Sequence, residues 1–392
     1  MKKSLLIILL TACVLLLCAC GAPAESNAAP EESAAAEASA ADPAKEDLCG
    51  LAYESTLPLQ YADQFSVDYY EGGYKLISVS DGRRYLLIPE GKEAPEGLDS
   101  SVCRVHMPVD NIYLAATSAM ALFNALDALD AISMSGTKAE GWTIDAAVAA
   151  MEAGDILYAG KYSEPDYEML MNQSCDLAIE STMILHSPKI QEMIELLGIP
   201  VFIERSSYET NPLGRTEWIK VYGAMLDKEA EAEEFFAGQA AVAEEMAQYE
   251  NTEQTVAFFY INTGGSAVVR SSSDYVPKMI ELAGGRYVFR DLENEESRRS
   301  SIPVTMEEFY NAAVDADYLI YNADIDDSLN SIDDLLAKNS LFADFKAVKN
   351  GNVWSTGKQF YQATDSVASF ITDVHRMLEG ETDGMTFLTK LN

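Results

Sequence analysis

The sequence predicts an α/β protein of two lobes joined by one long helix, with a small β meander ahead of them. Three observations carry this. From Phe65 to Pro89 the text alternates and is punctuated by Gly-Gly and Asp-Gly, the mark of short antiparallel strands. From about Asn111 the rhythm changes to apolar runs alternating with helical stretches, which indicates a mostly parallel sheet covered on both faces. Between Leu213 and Val276 there is no proline, and RTEWIKVYGAMLDKEAEAEEFFAGQAAVAEEMAQYE carries helical periodicity through Trp218, Tyr222, Met225, Phe235, Phe236, Val242 and Met246. As one rod it would be about 50 Å long, with Gly223 and Asp227 as the places where it divides into two coaxial pieces.

The first residues predict export. Lys2 and Lys3 form a positive start and Leu5 to Leu17 a short apolar run. That run is short for a membrane span. It ends Leu17-Cys18-Ala19-Cys20-Gly21, which resembles a bacterial lipobox with Cys20 as the acylated residue. Residues 1–19 are therefore read as a lipoprotein signal. Residues 20–47, made mainly of Ala, Glu, Ser, Pro and Asp, have nothing to build a core from and read as a disordered tether. Its reach is about 5–6 Å times the square root of its length. The expected location is the outer face of the cell membrane, lipid-anchored.

Within the body, strands are expected at IYLAATS, AISMSG, DILYAG, CDLAIES and PVFIER, separated by helices such as DAAVAAMEA and SPKIQEMIELLG. After the rod, TVAFFYI and SAVVR read as strands, DYVPKMIELAGG and MEEFYNAA as helices, and ADYLIYNA and NVWST as strands. DSVASFITDVHRML reads as the closing helix. The expected divisions are 48–213 for the first lobe with its meander, 214–250 for the linking helix and 251–392 for the second lobe.

Charge excludes some functions. The chain has 27 Lys+Arg against 63 Asp+Glu, a formal net of -36. Such a surface repels phosphate backbones, which argues against nucleic acid as a partner. Beyond the anchor, three cysteines remain: Cys49, Cys103 and Cys175. They form no CxxC or Cys/His cluster, so zinc is not expected. An oxidising compartment permits a Cys49–Cys103 pair, because both flank the same early β segment; Cys175 reads as a small buried hydrophobe. His106, His186 and His375 are dispersed, phosphate-binding glycine loops are absent, and no nucleophile–base pair has a recommending spacing. No catalytic residue, resident metal or cofactor is expected.

Binding residues are sought where parallel strands end, because loops there present polar groups to a crevice. In the first lobe this rule selects Thr117, Ser118, Lys161, Tyr162, Glu180, Ser181 and Thr182. Ahead of and within the rod it selects Ser206, Ser207, Tyr208 and Arg215. In the second lobe it selects Tyr260, Asn262, Arg270 with Ser271 to Ser273, Lys358, Phe360, Tyr361 and Gln362. Lys161, Arg215, Arg270 and Lys358 would make a positive pocket in a negative body. Guanidinium and ammonium groups suit carboxylate, phosphate or catecholate oxygens, and the tyrosines offer flat faces to a macrocycle or aromatic chelator.

Five strings together resemble one family: AGKYSEPDYEMLM, CDLAIESTMI, NPLGRTEWIKVYGAMLDKEAEA, VPKMIELAGGRYV and NGNVWSTGKQFYQ. Their order and spacing resemble the class III substrate-binding proteins of ABC importers for ferric siderophores, haem and cobalamin, over about Ile112 to Leu378. The resemblance implies two Rossmann-like lobes, a linking helix that limits hinge motion, and a chelate held between the lobes of a monomer. It implies a permease and its ATPase as partners, docked through one surface acid per lobe. PVTMEEFY puts Glu307 in that role. In the first lobe the position after Ser187-Pro188 is Lys189, and Glu192, one turn on, stands as the candidate. A surface-anchored hydrolase or chelatase, and a ligand-sensing lipoprotein, are the alternatives on the same scaffold.

Overall fold

The computed structural model describes residues 47–246, 248–293 and 300–392. The signal segment, Cys20 and all of the tether except its last residue lie outside them. No helix of the described residues is long and apolar enough to cross a membrane.

The meander is a five-stranded sheet: β1 (Tyr53–Thr56), β2 (Phe65–Tyr70), β3 (Tyr74–Val79), β4 (Arg84–Ile88) and β5 (Val102–His106), in that order. Its first three junctions are antiparallel, whereas β5 runs parallel to β4 after a crossover loop. The β2–β3 turn uses Gly72 and Gly73 at φ +83° and +82°, the left-handed geometry that a tight hairpin requires. Alternation sends Val67, Ile77, Tyr85 and Val105 to one face, into the first lobe's core. Tyr70, Leu76, Leu86 and Val102 form a second small core on the other face. Both faces are therefore buried, and the meander is an integral layer.

The first lobe is a parallel sheet of β6 (Ile112–Leu114), β7 (Ile132–Ser135), β8 (Leu157–Tyr158), β11 (Leu177–Ser181) and β12 (Val201–Glu204). A small hairpin of β9 (Gly160–Lys161) and β10 (Glu164–Pro165) precedes β11. The helices are α1 (Thr117–Ala125), α2 (Asp145–Ala153), α3 (Tyr167–Asn172) and α4 (Pro188–Leu196). Strand order is β12-β11-β6-β7-β8, so the chain winds outward from β6 twice, in opposite directions. A crevice opens beyond the strand ends where the winding reverses, between β6 and β11. Successive residues feed opposite faces: Leu177 and Ile179 join the core shared with the meander, Ala178 the one beneath α3 and α4.

The rod is not one rod. It divides into α5 (Pro212–Glu217), α6 (Ile219–Met225) and α7 (Glu229–Met246), and α7 folds back beside α6. A Cβ on Gly223 would stand 2.7 Å from the Cβ of Ala232. In coaxial helices nine residues apart means about 13 Å, so the pieces are side by side and the coaxial expectation is corrected. The reversal uses Asp227 at φ +55°, and Lys75 of β3 ties to it through Asp227 (2.7 Å), Glu229 (2.6 Å) and the Ala224 carbonyl (2.8 Å). The linking role belongs to α7. Its stripe begins with Ala232, Phe236 and Ala240 in the first lobe's core and ends with Ala243 and Met246 in the second's.

The second lobe holds β13 (Thr255–Ile261), β14 (Ala267–Arg270), α8 (Tyr275–Leu282), β15 (Arg286–Tyr287) and β16 (Ser301–Val304). There follow α9 (Met306–Ala313), β17 (Tyr318–Tyr321), α10 (Ile332–Lys338), α11 (Lys346–Lys349), β18 (Val353–Thr356), α12 (Val367–Leu378) and β19 (Leu388–Lys390). The order is β16-β14-β13-β17-β18-β19, with β15 beside the start of β13. β15, β13, β17 and β18 are parallel, whereas β14 and β19 run antiparallel at either side. Thus α12 is not the end of the fold: the chain returns to the sheet as β19. Phe258, Phe259, Phe309, Phe342 and Phe345 fill the core.

Candidate ligand site between the lobes

The loops that follow parallel strands in the two lobes meet. The segment after β7 and the segment after β18 are joined through Gln362. Its Oε1 accepts from the backbone N–H and the hydroxyl of Thr143, both at 2.9 Å, and its Nε2 donates to the Gly141 carbonyl at 2.8 Å. Deeper in, Thr216 of α5 donates its hydroxyl to the Thr364 carbonyl at 2.8 Å. The carboxyl ends of the two sheets therefore face each other.

In the first lobe, Thr117 is exposed at the start of α1, and Ser118 donates to Glu204 Oε2 at 2.9 Å. Glu204 is buried at the end of β12, and its other oxygen accepts from the Ser206 N–H at 2.7 Å. Ser181 caps the short helical turn Thr182–His186, accepting from the Met183 N–H. Glu180 does not open to the crevice. It is 0% exposed, neither carboxyl oxygen has a partner, and burial pushes its pKa up to about 8. Lys161 and Tyr162 sit in the β9–β10 hairpin, with Lys161 exposed and 3.9 Å from Glu164. Tyr208 is exposed and carries the Arg205 guanidinium 4.2 Å above its ring.

In the second lobe the expected cations are largely spent on protein partners. Arg270 grips Asp274 with Nε (2.9 Å) and an Nη (2.6 Å), and its other Nη donates to Ser301 (2.9 Å) and to the Tyr361 hydroxyl (3.3 Å). Tyr361 accepts in addition from Asn322 Nδ2 at 2.7 Å, while its own backbone N–H donates to Asp324 at 2.5 Å. Lys358 is exposed and pairs with Asp327. Tyr260 is half-buried and packs against the second lobe's core.

Arg215 is the exception. It lies in α5, 6% exposed, with its guanidinium 3.8 Å over the Tyr275 ring and its Nε unpartnered. The positive pocket expected from four cations reduces to this one buried group, with Lys161 and Lys358 on the surface. Arg270 ends β14 and Asp274 caps α8, so neither this pair nor Asp327 with Lys358 follows from helical spacing in the sequence. Tyr275, Thr364 and the 141–143 loop join the site without having been singled out, because only the fold brings them to it.

The docking candidates sit apart from this crevice. Glu307 is exposed in the first turn of α9, beside Glu308, which closes a capping box with Thr305. Glu192 is exposed along α4. The three body cysteines are free thiols, so Cys49–Cys103 is not a disulfide in this structure. Cys103 and Cys175 are largely buried, which pushes both thiols up to about 11.

The family described as "Periplasmic binding protein" matches residues 114–360, and the chain belongs to it. Its members are solute-binding components, and the matched segment begins just after the N-terminal sheet. A relative, an uncharacterized lipoprotein of Methanocaldococcus jannaschii, is 25% identical over 336 residues, covering 80% of this chain and 77% of the relative. The periplasmic haem-binding protein HutB of Vibrio cholerae superposes with a TM-score of 0.55 at 16% identity, covering 68% of this chain and 98% of that one. An ABC-type Fe3+-hydroxamate transport system protein of Saccharomonospora viridis gives 0.53 at 18%, covering 69% and 93%.

Proposed function

We propose that this chain is the lipid-anchored, extracytoplasmic receptor of an ABC importer and that it takes a ferric siderophore, haem or cobalamin-type chelate between its lobes. The observation that carries the reading is the meeting of the two carboxyl-end loops at Gln362, which makes one site from two sheets. Related proteins bind haem and serve ferric-hydroxamate transport, and those of M. jannaschii are lipoproteins. Capture is non-covalent, by charge and shape. The helix α7 is rooted in both cores, so opening is a hinge of modest amplitude.

The working molecule is a monomer. It is held by acyl chains on Cys20; α7 joins the two moving lobes, and α6, expected in the linker, packs in the first lobe's core. Glu307 and Glu192 present one acid per lobe to cationic side chains of the permease. Thr117, Ser118, Lys161, Tyr162, Ser181, Tyr208, Arg215, Tyr260, Arg270, Lys358 and Tyr361 belong to the ligand region. Arg215 contacts ligand, whereas Ser118 and Arg270 hold the walls through Glu204 and Asp274; Glu180 is sealed beneath its strand end and does not meet ligand.

Native mass spectrometry of the chain purified from its own cells tests the ligand class. A chelate or tetrapyrrole mass that leaves on acid unfolding supports the reading; a sugar, peptide or nucleotide in its place overturns it. Glu307→Arg should abolish uptake of that compound while leaving its binding unchanged. Lost binding would move Glu307 out of the docking role.

A further inference from the structure

Among the described residues, the buried basic side chains are Lys75, Arg215 and Lys220. Lys75 is neutralised by Asp227 and Glu229, and Lys220 by Glu217 at 3.1 Å and Glu233 at 2.7 Å. Arg215 has no carboxylate, and its Nε lacks any hydrogen-bond partner. A buried cation without a counter-charge loses its hydration with nothing in return, so chains normally pair it. A second unpartnered group lines the same narrow pocket: the Thr364 hydroxyl, on a residue 2% exposed whose carbonyl is already held by Thr216.

We propose that Arg215, Tyr275 and Thr364 form a seat for one carboxylate of the ligand. The proposal rests on the solute-receptor reading given above. The guanidinium fork matches a carboxylate with two parallel N–H donors, and the Tyr275 ring 3.8 Å beneath fixes its plane. The Thr364 hydroxyl supplies a third donor. Met279, Phe360 and Phe370 wall the pocket and keep water from competing. With the lobes clasped it has room for about one water molecule. The seat therefore reads a single terminal group, not a ring system. A ligand carboxylate is the missing counter-ion, and the cost of the empty seat is what makes the protein select for it.

The test has two arms. In the first, wild type and Arg215→Met are melted in sodium formate and in sodium chloride at equal ionic strength. Formate should raise the wild-type midpoint above that in chloride and leave Arg215→Met unmoved. In chloride, Arg215→Met should melt no lower than wild type, because it removes an uncompensated buried charge. No formate-specific rise in wild type, or a much lower midpoint for the variant in chloride, would make Arg215 a structural cation and overturn the seat.

In the second arm, haemin and haemin dimethyl ester are titrated into wild type, Arg215→Met and Thr364→Val. If haemin binds, it should bind wild type about ten- to a hundredfold more tightly than its ester. Arg215→Met should erase that preference and Thr364→Val should reduce it by about threefold to tenfold. Equal affinity for acid and ester overturns the seat and leaves the receptor reading standing. If haemin, a ferric tricatecholate, a ferric trihydroxamate and cyanocobalamin all fail to bind while the formate effect holds, the receptor reading falls and the seat survives.

Discussion

Gln362 accepts both the N–H and the hydroxyl of Thr143, each at 2.9 Å, and returns a hydrogen bond to Gly141 at 2.8 Å. Every polar atom of one side-chain amide is thereby engaged across the crevice. Each bond is worth about 0.5–1.5 kcal/mol net, less where water competes. Gln362→Ala should therefore raise ligand dissociation by roughly threefold to thirtyfold with little change in folding stability, measured by stopped-flow. An unchanged off-rate would mean that the clasp does not restrain opening.

Glu217 is fully buried and accepts three backbone N–H bonds at 2.8 Å from Gln60, Tyr61 and Ala62. It also neutralises Lys220 at 3.1 Å. This single carboxylate fastens the segment between β1 and β2 to the end of α5. Glu217→Ala leaves a buried lysine partly unpaired and three donors unmet, and should cost about 3–5 kcal/mol in urea unfolding. A loss below about 1 kcal/mol would show that the segment holds without it.

Glu180 sets a pH dependence whose sign follows from its burial. Its folded pKa is raised to about 8, against about 4.3 for an exposed glutamate. Below the exposed value both states hold the proton and its contribution is complete. As pH rises from about 4.3 to 8, the unfolded chain releases the proton first, and stability falls. Burial raises Glu209 to about 7 and Asp324 to about 6, so they act in the same direction. Glu180→Gln should flatten the fall of stability between pH 5 and 8 relative to wild type, read from unfolding curves at several pH values. An identical slope in both proteins would contradict the buried-acid assignment.

Gly223 makes the helix reversal possible, since a Cβ there would lie 2.7 Å from the Ala232 Cβ and 3.0 Å from the Lys228 carbonyl. Gly223→Ala should destabilise by about 1–3 kcal/mol, although alanine is the better helix former. Stabilisation would mean that α6 and α7 are further apart than described.

Much of the fold was legible because its elements are locally consistent. MEEFYNAA is delimited by the Thr305–Glu308 capping box, and TVAFFYI is a β-rich apolar run that became the central strand of the second lobe. What stayed hidden depends on contacts distant in sequence. Helical periodicity runs through the Leu226–Lys228 turn, and only the packing of Gly223 on Ala232 reveals the reversal. β16 contains Pro303 and β19 only three residues, so neither has a strong strand pattern. The site was half legible. Strand ends and the start of the rod singled out Arg215, Tyr361 and the loop bearing Gln362 as candidates, but residue type alone could not tell an engaged arginine from a free one. Arg270 and Arg215 look alike in the sequence, and only Asp274 separates them.

The central claim is that this body captures a chelate between its lobes. Isothermal titration of the mature chain with haemin, a ferric tricatecholate, a ferric trihydroxamate and cyanocobalamin tests it most directly. The account predicts that one of the four binds at 1:1 with a dissociation constant of about micromolar or tighter. Four titrations with nothing tighter than about millimolar would contradict it.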